Sequence, residues 1–282
     1  MKNNLFIRDG KALVSKIKFN GDVKKSVTCA VEAIGGLGRM IRANETVLLK
    51  PNFNTSDPLP GSSDPQFVKA VIELLWEHGA GKIVLGESSM FALSTREVMD
   101  KTGMLKVAEE AGAEVVVFNE GEWVEVKVGG TYLEKVSLPK AVVEAQRIVY
   151  VPCLKAHRFA DFTMSLKLAV GFLKPEEKKQ LHAGNLQEKI AELNTVVHPD
   201  IIILDGRRCF ISGGPDKGEV REPNVILASG DRIAVDVESV RILQSYPGTS
   251  LEEDVWQLRQ IRHAVELGLG VSRDEEYEVV EG

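Results

Sequence analysis

Residues 46–85 read TVLLKPNFNTSDPLPGSSDPQFVKAVIELLWEHGAGKIVL, and they parse as strand, helix, strand. Thr46 to Leu49 is an apolar run of strand length. Asp64 to His78 sets Phe67, Val68, Val71, Leu74 and Leu75 at helical spacing. Asp64 is the cap, Pro65 occupies the first helical position and Gly79 is the stop. Lys82 to Leu85 (KIVL) is the second strand. A helix carrying the chain from one buried strand to the next is the unit that builds parallel sheets.

The pattern continues outward. Ser94 to Ala111 reads as a helix weakened at Gly103, and Glu114 to Phe118 as a strand. Glu122 to Val128 alternates apolar and polar; with Gly129-Gly130 and Thr131 to Val136 it gives a hairpin signature, an excursion at one edge. Arg147 to Val151, Ile201 to Leu204 and Asn224 to Ala228 return to strands. Leu186 to Val197, Arg232 to Leu243 and Glu252 to Leu267 fit helices, and Leu5 to Phe19 a peripheral hairpin. The expected architecture is α/β: a doubly wound, mostly parallel sheet with helices on both faces and a peripheral β-hairpin excursion. Residues 1–282 read as one domain; the alternative is two lobes divided near Leu138.

Composition narrows the function. Of 282 residues, 44% are hydrophobic and 27% charged, which excludes general disorder. The net charge of −6 argues against a nucleic-acid partner bound by broad phosphate neutralisation. Cys29, Cys153 and Cys209 are far apart and form no C-x-x-C pair, so no intrinsic iron–sulfur cluster or zinc ribbon is expected. Met1 to Gly10 lacks the apolar core of a leader, and no apolar run reaches the ~20 residues that span a bilayer. A cytoplasmic location without a membrane partner is expected. No P-loop, nucleophile elbow or H-E-x-x-H occurs, and Gly35-Gly36-Leu37-Gly38 lies in a helical stretch rather than after a strand.

Ligands of such sheets bind beyond the carboxyl ends of the strands. Lys50 and Asn52 follow the first strand, Glu87 and Ser88 the second, Lys155, His157 and Arg158 the run RIVYV, and Asp205 the run IIIL. Lys155 and His157, two apart on extended chain, face one side. Asp161 or Thr163 is read as the cap of a helix through Met164 to Leu173, whose free N–H groups beside Lys155 and Arg158 suit an anion. Lys167 shares a face with Thr163. The charged run Glu176 to Lys179 reads as a mobile flap before His182. Gly213 and Gly214 are candidates for an anion nest, with a plain loop favoured. The expected catalytic group is His157, which transfers a proton, with Lys155, Lys167 and Glu87. Substrate binding falls to Lys50, Asn52, Arg158, Ser88, Gly213 and Gly214. His157, His182 and Asp205 are the candidate ligands of a divalent metal. Cys153 is read as buried and inert, and His78, His198 and His263 as structural.

LLKPNF (48–53), VLGES (84–88), VPCLKAHRFADFTMSLKLAVGFL (151–173), His182, ILDGRRCFISGGPDKG (203–218) and ILASGDRIAVDVESVRIL (226–243) occur in this order. Together they resemble the "domain of unknown function 362" family from about Thr46 to Leu243. Lys155, His157, Lys167 and Gly171 match that family's pattern, while Leu168 stands where the family has an amide. Many relatives carry a ferredoxin-like cysteine module that this chain lacks, so the resemblance implies an iron–sulfur protein as a candidate partner. The family's Lys and His motifs over an α/β cleft are loosely similar to those of the nickel-pincer lactate racemases. The expected function is an enzyme acting on a small anionic metabolite, a carboxylate or phosphate, in a Lys/His-lined cleft at the strand C-termini. Proton abstraction beside a carboxylate and redox chemistry with a bound cofactor both fit. The alternatives are a non-catalytic partner of an iron–sulfur electron-transfer protein and a metal or cofactor carrier. Substrate, cofactor and oligomeric state stay open.

Overall fold

In the computed structural model, which describes residues 4–282, five neighbouring strands run parallel. Their spatial order is Glu114–Val117, Lys82–Glu87, Thr46–Pro51, Arg147–Val151 and Ile201–Gly213. Residues 1–3, part of the Met1 to Gly10 stretch, lie outside the described residues. The chain winds outward from Thr46–Pro51 to one side, crosses back, and continues on the other side through Arg147–Val151. The winding therefore reverses between these two strands, and such a reversal opens a crevice beyond their carboxyl ends. Strands from before and after Leu138 thus pair within one sheet.

The apolar runs alternate between two cores, as strands covered on both faces must. Val47, Leu49, Val149, Val151, Ile201 and Ile203 face the helices Val23–Ala33 and Pro65–Glu77. Leu48, Ile148, Tyr150, Ile202 and Leu204 face Leu186–Leu193, Arg232–Gln244 and Arg259–Glu266. The Pro65–Glu77 helix starts as its sequence directs: the Asp64 carboxylate accepts the Gln66 N–H at 2.9 Å. Gly103, at φ +77°, divides the helix expected over 94–111 into Thr95–Lys101 and Met104–Glu110. Trp123–Lys127 and Lys135–Pro139 form a separate antiparallel hairpin.

Three expectations are corrected. The Leu5 to Phe19 stretch forms a hairpin, Ile7–Arg8 against Lys11–Lys18, but not a peripheral one. Its long arm, Lys11–Lys18, is an inner strand, antiparallel to Val225–Ser229 on one side and parallel to Tyr277–Glu281 on the other. The helix expected from Met164 to Leu173 is a single turn, Ser165–Leu168, followed by a 3₁₀ turn, Ala169–Phe172. Neither Asp161 nor Thr163 caps it. Asp236, buried in the middle of Arg232–Gln244, accepts the N–H groups of Ser165 at 2.8 Å and Leu166 at 2.9 Å. Those donors are satisfied internally and do not await an external anion. Lastly, Glu176 to Lys179 is no flap: it belongs to the helix Pro175–Leu181, with Lys178 buried. Among the described residues no helix is long and apolar enough to cross a membrane.

Candidate functional site

A cavity of about 370 Å³ lies at the crevice, lined by Lys50 and Asn52, Glu87 and Ser88, and Lys155, His157 and Arg158. Lys155 and His157 sit on a short strand, Cys153–His157, that continues past Val151, so their two-residue spacing puts both on the cavity side. Thr163 lies directly across the ladder from Lys155. Lys167, Lys178 and His182 close the far wall. Met90, Phe91, Phe159 and Val170 supply an apolar portion, with Phe91 and Phe159 about half exposed at the rim.

Five lysines thus line the cavity with one carboxylate, Lys179 being exposed and the other four lying deeper. Lys50 Nζ donates to Glu87 Oε1 and to the Pro51 carbonyl, each at 2.7 Å. Glu87 is further fixed because Oε2 accepts the Phe53 N–H and Oε1 the Ser88 N–H. Gly171 passes over this pair, and a Cβ there would sit 2.6 Å from Lys50 Nζ. Lys155 Nζ, fully buried, donates to the carbonyls of Gly61 at 2.6 Å and Pro215 at 3.1 Å. Burial lowers its pKa against the pull of Asp57 and Asp216. Lys178 Nζ donates to Ser88 Oγ at 2.7 Å and to the carbonyls of Ser88 and Ser89. Burial brings it down to about 7. Lys167 is half-buried and pushed down to about 7 by desolvation and by Lys155.

The two histidines are held in opposite tautomers. His157 Nδ1 accepts the N–H groups of Phe159 and Ala160, both at 3.1 Å, so its proton sits on Nε2. His182 Nδ1 lies 2.7 Å from the Lys178 carbonyl and donates to it, which leaves a lone pair on Nε2. Burial lowers both pKa values, and neighbouring cations add to the effect. The cavity therefore offers a neutral N–H donor and a neutral base.

The buried neutral His157 ties stability to pH. Below about 6.5 an unfolded histidine takes up a proton that the folded chain refuses, so stability falls with pH by up to about 1.4 kcal/mol per unit. His157→Gln is expected to remove most of that slope, with the two proteins diverging in urea titrations between pH 7 and pH 5. Equal slopes would show that His157 carries no such penalty.

Other expected site residues lie elsewhere. Asp205 is buried and bound by Arg207 through Nε at 2.9 Å and Nη2 at 2.6 Å, and Arg207 also reaches Asp64. With its carboxylate so engaged, Asp205 does not join His157 and His182. Among the described residues no group of three or more His, Cys, Asp and Glu side chains converges at metal-ligand spacing. The donor set proposed for a divalent metal does not fit. Gly213 and Gly214, at φ +76° and +66°, form the turn between Ile201–Gly213 and Gly218–Arg221 and do not line the cavity. Burial pushes the Cys153 thiol up to about 11, so it stays protonated. Sequence reasoning missed Lys178 and read Thr163 only as a helix cap, not as part of the cavity wall. The signal for Lys178 was available: Pro175 followed by Glu176 and Glu177 is a helix start, and positions 178 and 182 then share a face.

The fold and this cavity define an α/β protein with a cation-lined pocket at the switch point of its sheet. The model of the family described as Domain of unknown function (DUF362) matches residues 47–241, and the chain belongs to that family. It is 31% identical over 238 residues, 81% of this chain and 72% of the relative, to the "Thylakoid-associated protein sll1697" of Synechocystis sp.. Among solved structures it is similar to a Thermotoga maritima protein, with TM-score 0.47 and 10% identity over 86% of this chain and 58% of that one. It is also similar to the lactate racemase apoprotein of Thermoanaerobacterium thermosaccharolyticum, with TM-score 0.45 and 12% identity over 85% and 59%. The chain thus spans under two thirds of the length of either solved structure.

Proposed function

We propose that the chain is an enzyme acting on a small anion, a carboxylate or phosphate, bound in this cavity. The convergence of Lys50, Lys155, Lys167 and Lys178 on one cavity with Glu87 as the carboxylate among its lining residues carries this reading. Burying that many ammonium groups is costly in the absence of a counter-charge, and a bound anion supplies one. His157 Nε2–H donates a hydrogen bond to the ligand, and His182 Nε2 accepts a proton from it.

The test is thermal unfolding with a panel of carboxylates and phosphates at constant ionic strength. A ligand at about 100 times its Kd stabilises by about 2.7 kcal/mol, a rise of roughly 5–10 °C for a chain of this size. Lys167→Met should abolish the rise. A panel with no member exceeding the chloride control would remove the anion site, and a rise that survives in the variant would place the bound anion away from Lys167.

A further inference from the structure

Of the polar side chains of the cavity, Lys167 Nζ and Thr163 Oγ1 have no partner among the described residues. Lys50, Lys155 and Lys178 are each held by two or three acceptors. No acceptor or carboxylate holds Lys167 Nζ. Thr163 Oγ1 is buried, lines the same cavity and is likewise without a hydrogen bond. Thr163 lies opposite Lys155 in the ladder; Lys155 lowers the pKa of Lys167, and Lys167 in turn lowers those of His157, Lys178 and His182. A lysine meant only as a fixed cation gains from a carboxylate or carbonyl partner. One left unpaired among other ammonium groups is favoured as the free amine.

From this arrangement we infer that Lys167 is a nucleophile that forms an imine with the carbonyl carbon of a 2-oxo acid. The inference rests on the reading of the cavity as a carboxylate site. The Nζ lone pair attacks the ketone carbon and a C–N bond forms. The carbonyl π pair moves onto oxygen, to which His157 Nε2–H and Thr163 Oγ1–H donate hydrogen bonds. His182 Nε2 accepts the proton that nitrogen sheds. His182 hands that proton to the oxygen, and the second nitrogen proton follows by the same route as the hydroxyl leaves as water; the C–O bond breaks and the C=N bond forms, with no net oxidation or reduction. The apolar wall of Met90, Phe91 and Phe159 suits a hydrophobic substituent on the acid.

The experiment uses phenylpyruvate and sodium cyanoborohydride on the full chain at pH 7, with peptide mapping by mass spectrometry. Phenyllactate, which keeps the carboxylate and ring but lacks the ketone, is the control ligand. One reduced adduct per chain on the Lys167 peptide is expected, competed away by phenyllactate and absent in Lys167→Arg. An amine brought to about 7 holds about 10³ times more free base at pH 7 than a surface lysine does. Labelling of surface lysines should therefore lag by a similar factor. If phenyllactate stabilises the protein but Lys167 is unlabelled, the nucleophile is overturned and the anion site stands. If neither acid stabilises the protein and no adduct forms, both fall. Mapping on the unaltered chain gives the answer even where Lys167→Arg fails to fold.

Discussion

Replacing Glu87 by alanine is expected to destabilise the folded chain by about 3–5 kcal/mol, the range for breaking a buried ion pair by removing one partner. The Lys50 and Glu87 side chains are 1% and 2% exposed. Without the carboxylate, Lys50 keeps only the Pro51 carbonyl, and the N–H groups of Phe53 and Ser88 lose their acceptor. The pair as a whole has a different sign. Desolvating two charges offsets most of their attraction, so Lys50→Met with Glu87→Leu should recover much of the loss. The double variant should also bind anions less well, because the strand-end cation is gone. Urea titrations of the parent and the two variants at pH 7 measure this. A Glu87→Ala protein within 1 kcal/mol of the parent would mean that water reaches the pair.

Asp236→Ala is the second large effect, about 2–5 kcal/mol. The carboxylate is the acceptor for Ser165 and Leu166, and each buried N–H left unsatisfied costs about 1–3 kcal/mol. Burial pushes the Asp236 carboxyl up to about 7, against the two N–H bonds that favour its ionised form. The turn it holds carries Lys167, so the variant should also lose anion binding although residue 236 does not line the cavity. Asp236→Asn keeps one acceptor and should fall between parent and alanine variant. Calorimetry and ligand titration on both variants check the coupling. A protein that loses stability but binds anions normally would show that Asp236 does not position Lys167.

Much of this was readable in the sequence for a physical reason. Strands buried on both faces need continuous apolar runs such as TVLL and IIIL, and the residues that follow them are forced to the crevice. Lys50, Glu87, Lys155 and His157 could therefore be placed together by strand ends alone. Asp236 could not. It lies some 70 residues from the N–H groups it caps, and no local pattern announces a helix-interior carboxylate serving a different helix. Asp205 was misassigned to the metal set because a strand-end acid looks available until its arginine is considered. Arg207, two residues on, occupies it. Lys11–Lys18 looked peripheral since its partners, Val225–Ser229 and Tyr277–Glu281, are remote in sequence.

That last arrangement bears on how the chain is made. Lys11–Lys18 leaves the ribosome early, with Leu13 and Val14 destined for burial, yet both of its long sheet neighbours are translated about 200 residues or more later. At ~5–20 residues per second this is a wait of roughly 10–40 s. During that interval only Ile7–Arg8 is at hand to pair with the strand, which leaves most of its apolar edge open to mispairing with another nascent chain. The protein should therefore depend on holding chaperones while it is being synthesised more than its finished sheet would suggest.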